Sequence, residues 1–309
     1  MKILFISSGR NGDISELIKN QGKSITKQGI EIQYFTLDTG FSGYLKGIFL
    51  IREKIKKEKY DLLHAHYSLS AFAATLAGRF PMVVSLLGSD AYKPFYLHCI
   101  TRLFSLYCWQ VTIVKTKTMK ERLALKNAEV IPNGVDISRF KPIPKAEARN
   151  VIQFNQGKKL VIFVANPARH EKNFSLALQA IEHLEDKNIE LMPVFNITNE
   201  KIPYYMNAAD VLLLTSKREG SVNVVKEAMA CNLPVVSTDV GDVKENIKNL
   251  PGYYVCDSNP AALAEGISEA LKYKGNLNGR DRILELGLDS ETVAEKIIAI
   301  YKQVMGNVN

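Results

Sequence analysis

Glu219 and Glu227 stand eight residues apart in the run SKREGSVNVVKEAMACNLPVVST, residues 216–238, where a polar turn separates an apolar run from a helical pattern. The run VLLLTS, residues 211–216, reads as a buried parallel strand. Val224, Val225, Ala228 and Met229 then recur at helical spacing before the strand PVVST. Glu219 therefore falls just before a helix and Glu227 two turns into it. In such a strand-turn-helix unit the first helical amides, around Ser221 to Val224, have no intrahelical acceptor and carry the positive end of the helix dipole. They form a seat for a diphosphate. Beyond the phosphates Glu219 can reach the hydroxyls of a sugar, and behind them Glu227 can accept from a ribose diol, so the ligand that fits is a nucleotide-sugar. Taken alone, two glutamates so spaced are more often a helix cap and a solvated surface residue, and the surrounding segments must decide.

Arg169 and Lys172 follow the strand KLVIFVAN in the loop NPARHEKNF, at the carboxyl end of a parallel strand, where open α/β sheets bind ligands. Two cations there could balance a nucleoside diphosphate leaving group; as plain loop charges they would do nothing. Gly9 and Gly12 follow the first strand, but GRNG lacks the GxGxxG spacing, so no dinucleotide site is read. Asp90, in GSDAY, also follows a strand. His64 and His66 lie at a strand end, where a satisfied structural histidine is the commoner role than a ligand contact.

These residues need rigid elements to bring them together. A chain of 309 residues suits about two domains, each with its own core. Apolar runs predict strands at 2–8, 31–36, 61–65, 82–86, 111–115 and 128–131, with helical periodicity at 13–28, 45–59 and 95–107. The pattern repeats with strands near 159–165, 189–195, 211–215, 234–237 and 252–255. Alternation of this kind implies two parallel sheets covered by helices. Residues 141–150, KPIPKAEARN, read as a linker, which gives two domains, 1–145 and 146–309.

Residues 219–245, EGSVNVVKEAMACNLPVVSTDVGDVKE, resemble the donor-site signature of retaining GT-B glycosyltransferases, glycosyltransferase family 4 above all. Two further segments match in order: VIPNGVDISRFKP, residues 130–142, resembles the family's hinge-side segment, and residues 60–92, from YDLLHAHYS to LLGSDAY, the middle of its acceptor domain. The resemblance implies two doubly wound Rossmann-like domains facing a cleft, 1–145 on the acceptor side and 146–309 as the donor domain, with the last helix, near 290–306, crossing back to the first. It implies a hexosyltransferase-type enzyme that carries a sugar from a nucleotide-sugar, UDP- or GDP-linked, to a glycan or lipid-linked glycan in cell-surface polysaccharide assembly. Glu219 would orient the donor sugar, and Glu227 would hold the ribose. The backbone of Gly220, Ser221, Val222, Asn223 and Val224 would bind the diphosphate with Lys172 and Arg169. Asp90 and the Gly9 to Gly12 loop would serve the acceptor side, and Glu219, Lys172 and Asp90 are the expected catalytic groups. No two aspartates stand two residues apart, against the metal-held diphosphate of the GT-A class; no metal or cofactor is expected.

Three departures from the family pattern qualify this. Arg169 stands three residues before Lys172 instead of five, Leu87 replaces a usual histidine, and one strand-helix unit is missing in the shortened region 185–203. Base contacts often come from that region, so the base cannot be read, although Asn196 and Thr198 could hydrogen-bond one. An epimerase of the same fold and a non-catalytic nucleotide-sugar-binding partner remain as alternatives.

Charge is uneven. Residues 1–145 hold 22 Lys and Arg against 11 Asp and Glu, or +11, and the remainder 18 against 21, or −3, which together give the +8 of the chain. Segment 45–59, LKGIFLIREKIKKEK, sets Ile48, Ile51 and Ile55 against a basic face. It reads equally as an ordinary amphipathic helix or as one lying on an anionic membrane. No helix-turn-helix, zinc or RNA-binding signature accompanies the charge, so nucleic acid is not expected. MKILFISSGRNG reads as a first strand and not a signal sequence. No run of about 18 apolar residues occurs. Cys99, Cys108, Cys231 and Cys256 lack CxxC spacing and read as buried thiols of a cytoplasmic protein.

Overall fold

The structure is a computed structural model that describes residues 1–9 and 13–306; Gly12 lies outside them. The chain forms two compact units, one of Met1–Gly134 together with the segment from Ser290 onward, the other of Val135–Asp289.

The first unit holds strands β1 (Lys2–Ser8), β2 (Glu31–Leu37), β3 (Leu62–His66), β4 (Met82–Ser85), β5 (Val111–Val114) and β6 (Glu129–Val130). They form one parallel sheet in the order β2-β1-β3-β4-β5-β6. Helix Glu16–Thr26 covers one face, with Ile18 and Ile25 buried against Ile3 and Phe5. Helix Ser290–Gly306 packs beside it and completes that core with Val293, Ile297 and Tyr301. Helices Phe41–Lys57, Ser68–Ala77 and Phe95–Tyr107 share the opposite core, into which they send Ile51, Ala74 and Phe104.

The second unit holds β7 (Lys159–Phe163), β8 (Ile189–Pro193), β9 (Val211–Leu214), β10 (Val235–Thr238) and β11 (Tyr253–Cys256), parallel in the order β11-β10-β9-β7-β8. The chain leaves β7 toward β8 and returns to β9 on the other side. This reversal makes the β7 and β9 carboxyl ends the switch point, where a doubly wound sheet opens a crevice. One strand, β8, lies between helices Phe174–Glu182 and Ile202–Ala208, as the shortened sequence there implied.

All eleven expected strands are present, with ends shifted by at most two residues. The linker expected at 141–150 is a finding of a different kind, because helix Lys145–Val151 occupies most of it. Its Arg149 is buried and donates to Ala208 O at 3.0 Å, Gln156 O at 2.8 Å and Asp210 Oδ2 at 2.8 Å. Val135 and Phe140 belong to the core of the second unit, so the division falls at 134/135 and not at 145/146. Pro and Lys made the stretch read as solvated, and most of it is exposed, but Ala148 and Arg149 are buried.

Candidate donor site

Two loops at the switch point are stitched together by backbone. The segment after β7 closes in a 3-10 turn, His170–Lys172, and enters the next helix through Asn173 at φ 55°. The segment after β9 holds it: Thr215 Oγ1 donates to the carbonyls of Lys172 and Asn173, both at 3.0 Å, and the Lys217 amide to Glu171 O at 2.9 Å. This register places Lys172 Nζ 2.5 Å from Glu219 Oε1, which Ser216 Oγ also meets at 2.8 Å. Both charged side chains are mostly shielded, at 13% and 18% exposure, so the pair is less screened than a surface ion pair. Lys172 and Glu219, 47 residues apart in sequence, thus meet.

Helix Asn223–Ala230 follows β9, with Val225, Ala228 and Met229 buried against the sheet. Glu227 lies on its half-covered flank. Loss of water around the carboxyl pushes its pKa up to about 7, against a smaller opposing pull from Arg139. Arg139 was not singled out in the sequence beyond its place in VIPNGVDISRFKP. Its Nη2 donates to Asn199 O and its buried Nε has no protein partner. The carboxylate, this guanidinium and the loop after β8 that holds Asn196 and Thr198 therefore form one polar end of the site. The pair Lys172–Glu219 forms the other.

The turn between these ends is fixed by a buried group the sequence did not signal. Lys226 is wholly buried and pairs with Asp242 Oδ2 at 2.9 Å. Lys226 Nζ also donates to Ser221 Oγ, Ser221 Oγ to Asp242 Oδ2 at 2.9 Å, and the Val222 amide to Asp242 Oδ1 at 2.7 Å. These bonds favour the charged form of Asp242 and hold its pKa below the ordinary value despite burial. Gly241, at φ 59°, passes so close that a Cβ there would stand 2.1 Å from Gly220 O. The expected seat is corrected in one respect: the Val222 amide is turned inward to Asp242, and the helix begins at Asn223.

Other expected residues are placed elsewhere. Arg169 is 57% exposed and folds back on Glu171 Oε1, with Nε at 2.8 Å and Nη2 at 2.6 Å, so it does not join Lys172. Asp90, expected on the acceptor side, has a side chain only 1% exposed that is bonded to its own loop and to the head of helix Ser68–Ala77. Oδ1 accepts from the Ser68 amide at 3.2 Å, Ser68 Oγ at 2.9 Å and Lys93 Nζ at 2.9 Å, and Oδ2 from the Leu87 amide at 2.9 Å. Gly9 closes on the β2 end through Leu37 O, and a Cβ there would stand 1.9 Å from Asp13 O. His64 is satisfied, by Tyr301 OH at 2.5 Å and Ser85 Oγ at 2.9 Å. His66 stacks on it at 4.3 Å, buried and with neither ring nitrogen bonded, contrary to the satisfied role expected. Cys99 and Cys108 are exposed, so the reading of four buried thiols fails for those two.

Two parallel-sheet Rossmann-like units, the second with this polar switch-point crevice, define a GT-B chain. The sequence model described as Glycosyltransferase Family 4 matches residues 8–139, and that described as Glycosyl transferases group 1 matches residues 193–273. Over these two segments the chain is similar to group 1, family 4-type glycosyltransferases. It is 27% identical over 236 residues to TuaC of Bacillus subtilis, a glycosyltransferase named for teichuronic acid biosynthesis, covering 67% of this chain and 60% of that protein. It is 24% identical to an Escherichia coli UDP-Gal:alpha-D-GlcNAc-diphosphoundecaprenol alpha-1,3-galactosyltransferase, covering 66% of this chain and 64% of that one. The matches thus span about three fifths of those relatives. Among solved structures, sucrose-phosphate synthase of Thermosynechococcus elongatus superimposes with TM-score 0.82 at 17% identity over 99% of both chains. Anabaena Alr3699/HepE, in complex with UDP and glucose, gives 0.76 at 16% over 98% of this chain and 100% of that one. At such identities the likeness speaks to the fold.

Proposed function

We propose that the protein is a retaining hexosyltransferase that moves a sugar from a nucleotide-sugar to a glycan or lipid-linked glycan during cell-surface polysaccharide synthesis. The observation that carries this reading is the meeting of Lys172 and Glu219 at the switch point of the second sheet, at the head of the helix that bears Glu227. Lys172 binds the diphosphate and, with the first turn of helix Asn223–Ala230, stabilises the charge that develops on it as the glycosidic bond breaks. No metal is required for that task in this reading. Glu219 orients the sugar through its hydroxyls, Gly220 and Ser221 line the approach, and Glu227 accepts from the ribose diol with Arg139 beside it. Catalysis then rests on positioning and leaving-group stabilisation. The UDP- and UDP-sugar-named relatives favour a uridine donor. The protein works on the cytoplasmic side, peripheral to the membrane, and no described helix is long and apolar enough to cross one.

A calorimetric screen against UDP-, GDP-, ADP- and CDP-sugars tests the reading. Selective binding of one base, lost in Lys172→Ala and in Glu227→Ala, is the expected result. Absence of binding to all four would reject it.

A further inference from the structure

We propose that the first unit docks on an anionic lipid surface through the outer face of helix Phe95–Tyr107, a segment that carried no functional reading in the sequence. The inference names the contact for the peripheral placement proposed above and is independent of the donor chemistry. At helical spacing Phe95, Tyr96, Ile100, Leu103, Leu106 and Tyr107 share an arc of roughly 140°. All six are exposed, from 37% at Ile100 to 81% at Tyr107. The opposite side buries Thr101 and sends Phe104 against Phe72 at 4.8 Å. The helix is thus amphipathic in the reverse sense for an aqueous surface, with its apolar stripe outward. Scattered exposed hydrophobics are ordinary, whereas a continuous stripe of six marks a docking face.

The same helical layer extends the face. Phe41, Leu45 and Phe49, spaced at one helical side, are exposed on helix Phe41–Lys57, as is Leu76 on helix Ser68–Ala77. Helices after parallel strands run back along the sheet, so Phe41 and Phe95, each the first residue of its helix, stand at the carboxyl edge. That edge is where an open sheet receives ligands. A lipid-carried acceptor bound there would have its tail at the docking face.

Charge selects the occupant. From Ala91 to Lys120 the sequence has no Asp or Glu, and Arg102, Lys117 and Lys120 stand outside the core there, while Lys115 is buried and Lys93 is paired with Asp90. Arg52 and Lys56 follow the exposed apolar half of helix Phe41–Lys57, which packs on helix Ser68–Ala77 in the same layer. A second copy would bring the same basic face against itself, while anionic headgroups complement it. Tyr96 and Tyr107 suit the boundary, with an apolar ring and a polar tip.

The test is co-sedimentation of the full chain with phosphatidylglycerol-containing phosphatidylcholine vesicles and with pure phosphatidylcholine vesicles, for wild type and for the triple variant Ile100→Ser, Leu103→Ser, Tyr107→Ser. The pair Phe95→Ser, Tyr96→Ser is run in parallel, and fluorescence of Trp109, the single tryptophan, confirms folding. Binding to the anionic vesicles that weakens about tenfold or more in the variants and on raising salt is expected. No binding by wild type, or equal binding by folded variants, overturns the proposal. A concentration-dependent dimer abolished by the same substitutions would also overturn it and give the face to a second copy. Loss of nucleotide-sugar binding with vesicle binding intact would reject the transferase reading alone.

Discussion

At the residue scale, Lys172 and Glu219 are bound to each other but divide the work on the ligand, and their variants should separate. Lys172→Ala is expected to lower turnover more than about a hundredfold, some 3 kcal/mol of barrier, and also to weaken binding of the bare nucleotide. Glu219→Ala should lower turnover as much while binding of the nucleoside diphosphate changes little; steady-state kinetics and calorimetry with and without the sugar moiety distinguish them. Glu227 supplies a pH signature. Its folded pKa stands at about 7, above the ordinary 4.5, so the folded chain binds more protons than the unfolded chain between those values. Its stabilising contribution is therefore full below pH 4.5 and lost as pH rises through about 7. Glu227→Gln should raise the Tm at pH 8 and leave it nearly unchanged at pH 5, as a melting series would show. Ribose binding needs the carboxylate, so nucleotide affinity of wild type should rise between pH 6 and 8, and that of the Gln variant should not. Lys172 and Glu219 were legible as loop residues at strand ends, and Glu227 by its two-turn spacing along the helix that follows. Lys226 was not: VVKEA gives a lysine between apolar residues and an acid, and nothing local tells that it points inward to a partner 16 residues on.

At the scale of elements, the turn from Gly220 to Val222 owes its shape to the segment after β10. Asp242→Asn would leave the Lys226 ammonium buried without its counterion, an arrangement that costs about 3 to 5 kcal/mol. The double variant Lys226→Met, Asp242→Asn should lose much less than the sum of the two, as measured by a denaturation cycle. If the network positions the donor loop, the double variant should still show a raised KM for the nucleotide-sugar. Asp90 belongs to the same class of device, a carboxylate that caps a turn with four bonds, so Asp90→Ala should lower stability while the folded protein keeps its kcat. Strands were legible as apolar runs because buried parallel strands are apolar on both faces. The domain boundary was not, because helix Lys145–Val151 is attached to the second unit by Arg149 and by Ala148 beneath it, contacts with residues about 60 positions away.

For the whole molecule, the two units should respond to pH in opposite directions. In the first, burial holds His64 well below its usual range and His66 at about 3, each neutral when folded. The unfolded chain then binds more protons below 6.5, so this stabilising contribution is full above that pH and lost as pH falls. Trp109 lies in the core of the first unit, so its fluorescence reports that unit. Its melting temperature should drop from pH 7.5 toward pH 5 while the Glu227 contribution in the second unit grows, and a shared melt with one slope would contradict this.

Val135 pairs with Asp289 in an isolated parallel bridge, with the Val135 amide donating to Leu288 O at 2.9 Å. The second unit therefore enters and leaves the chain at one spot, as an insertion between Gly134 and Ser290 of the first. During synthesis, the segment that emerges earlier must wait: Ile18, Ile25 and Phe5 lack their covering helix until Ile297 and Tyr301 have left the ribosome. The later segment has all its strands in hand by then. The order of completion inverts the order of translation, and the nascent first unit is left for that interval with part of an apolar face, beside helix Glu16–Thr26, open to chaperones.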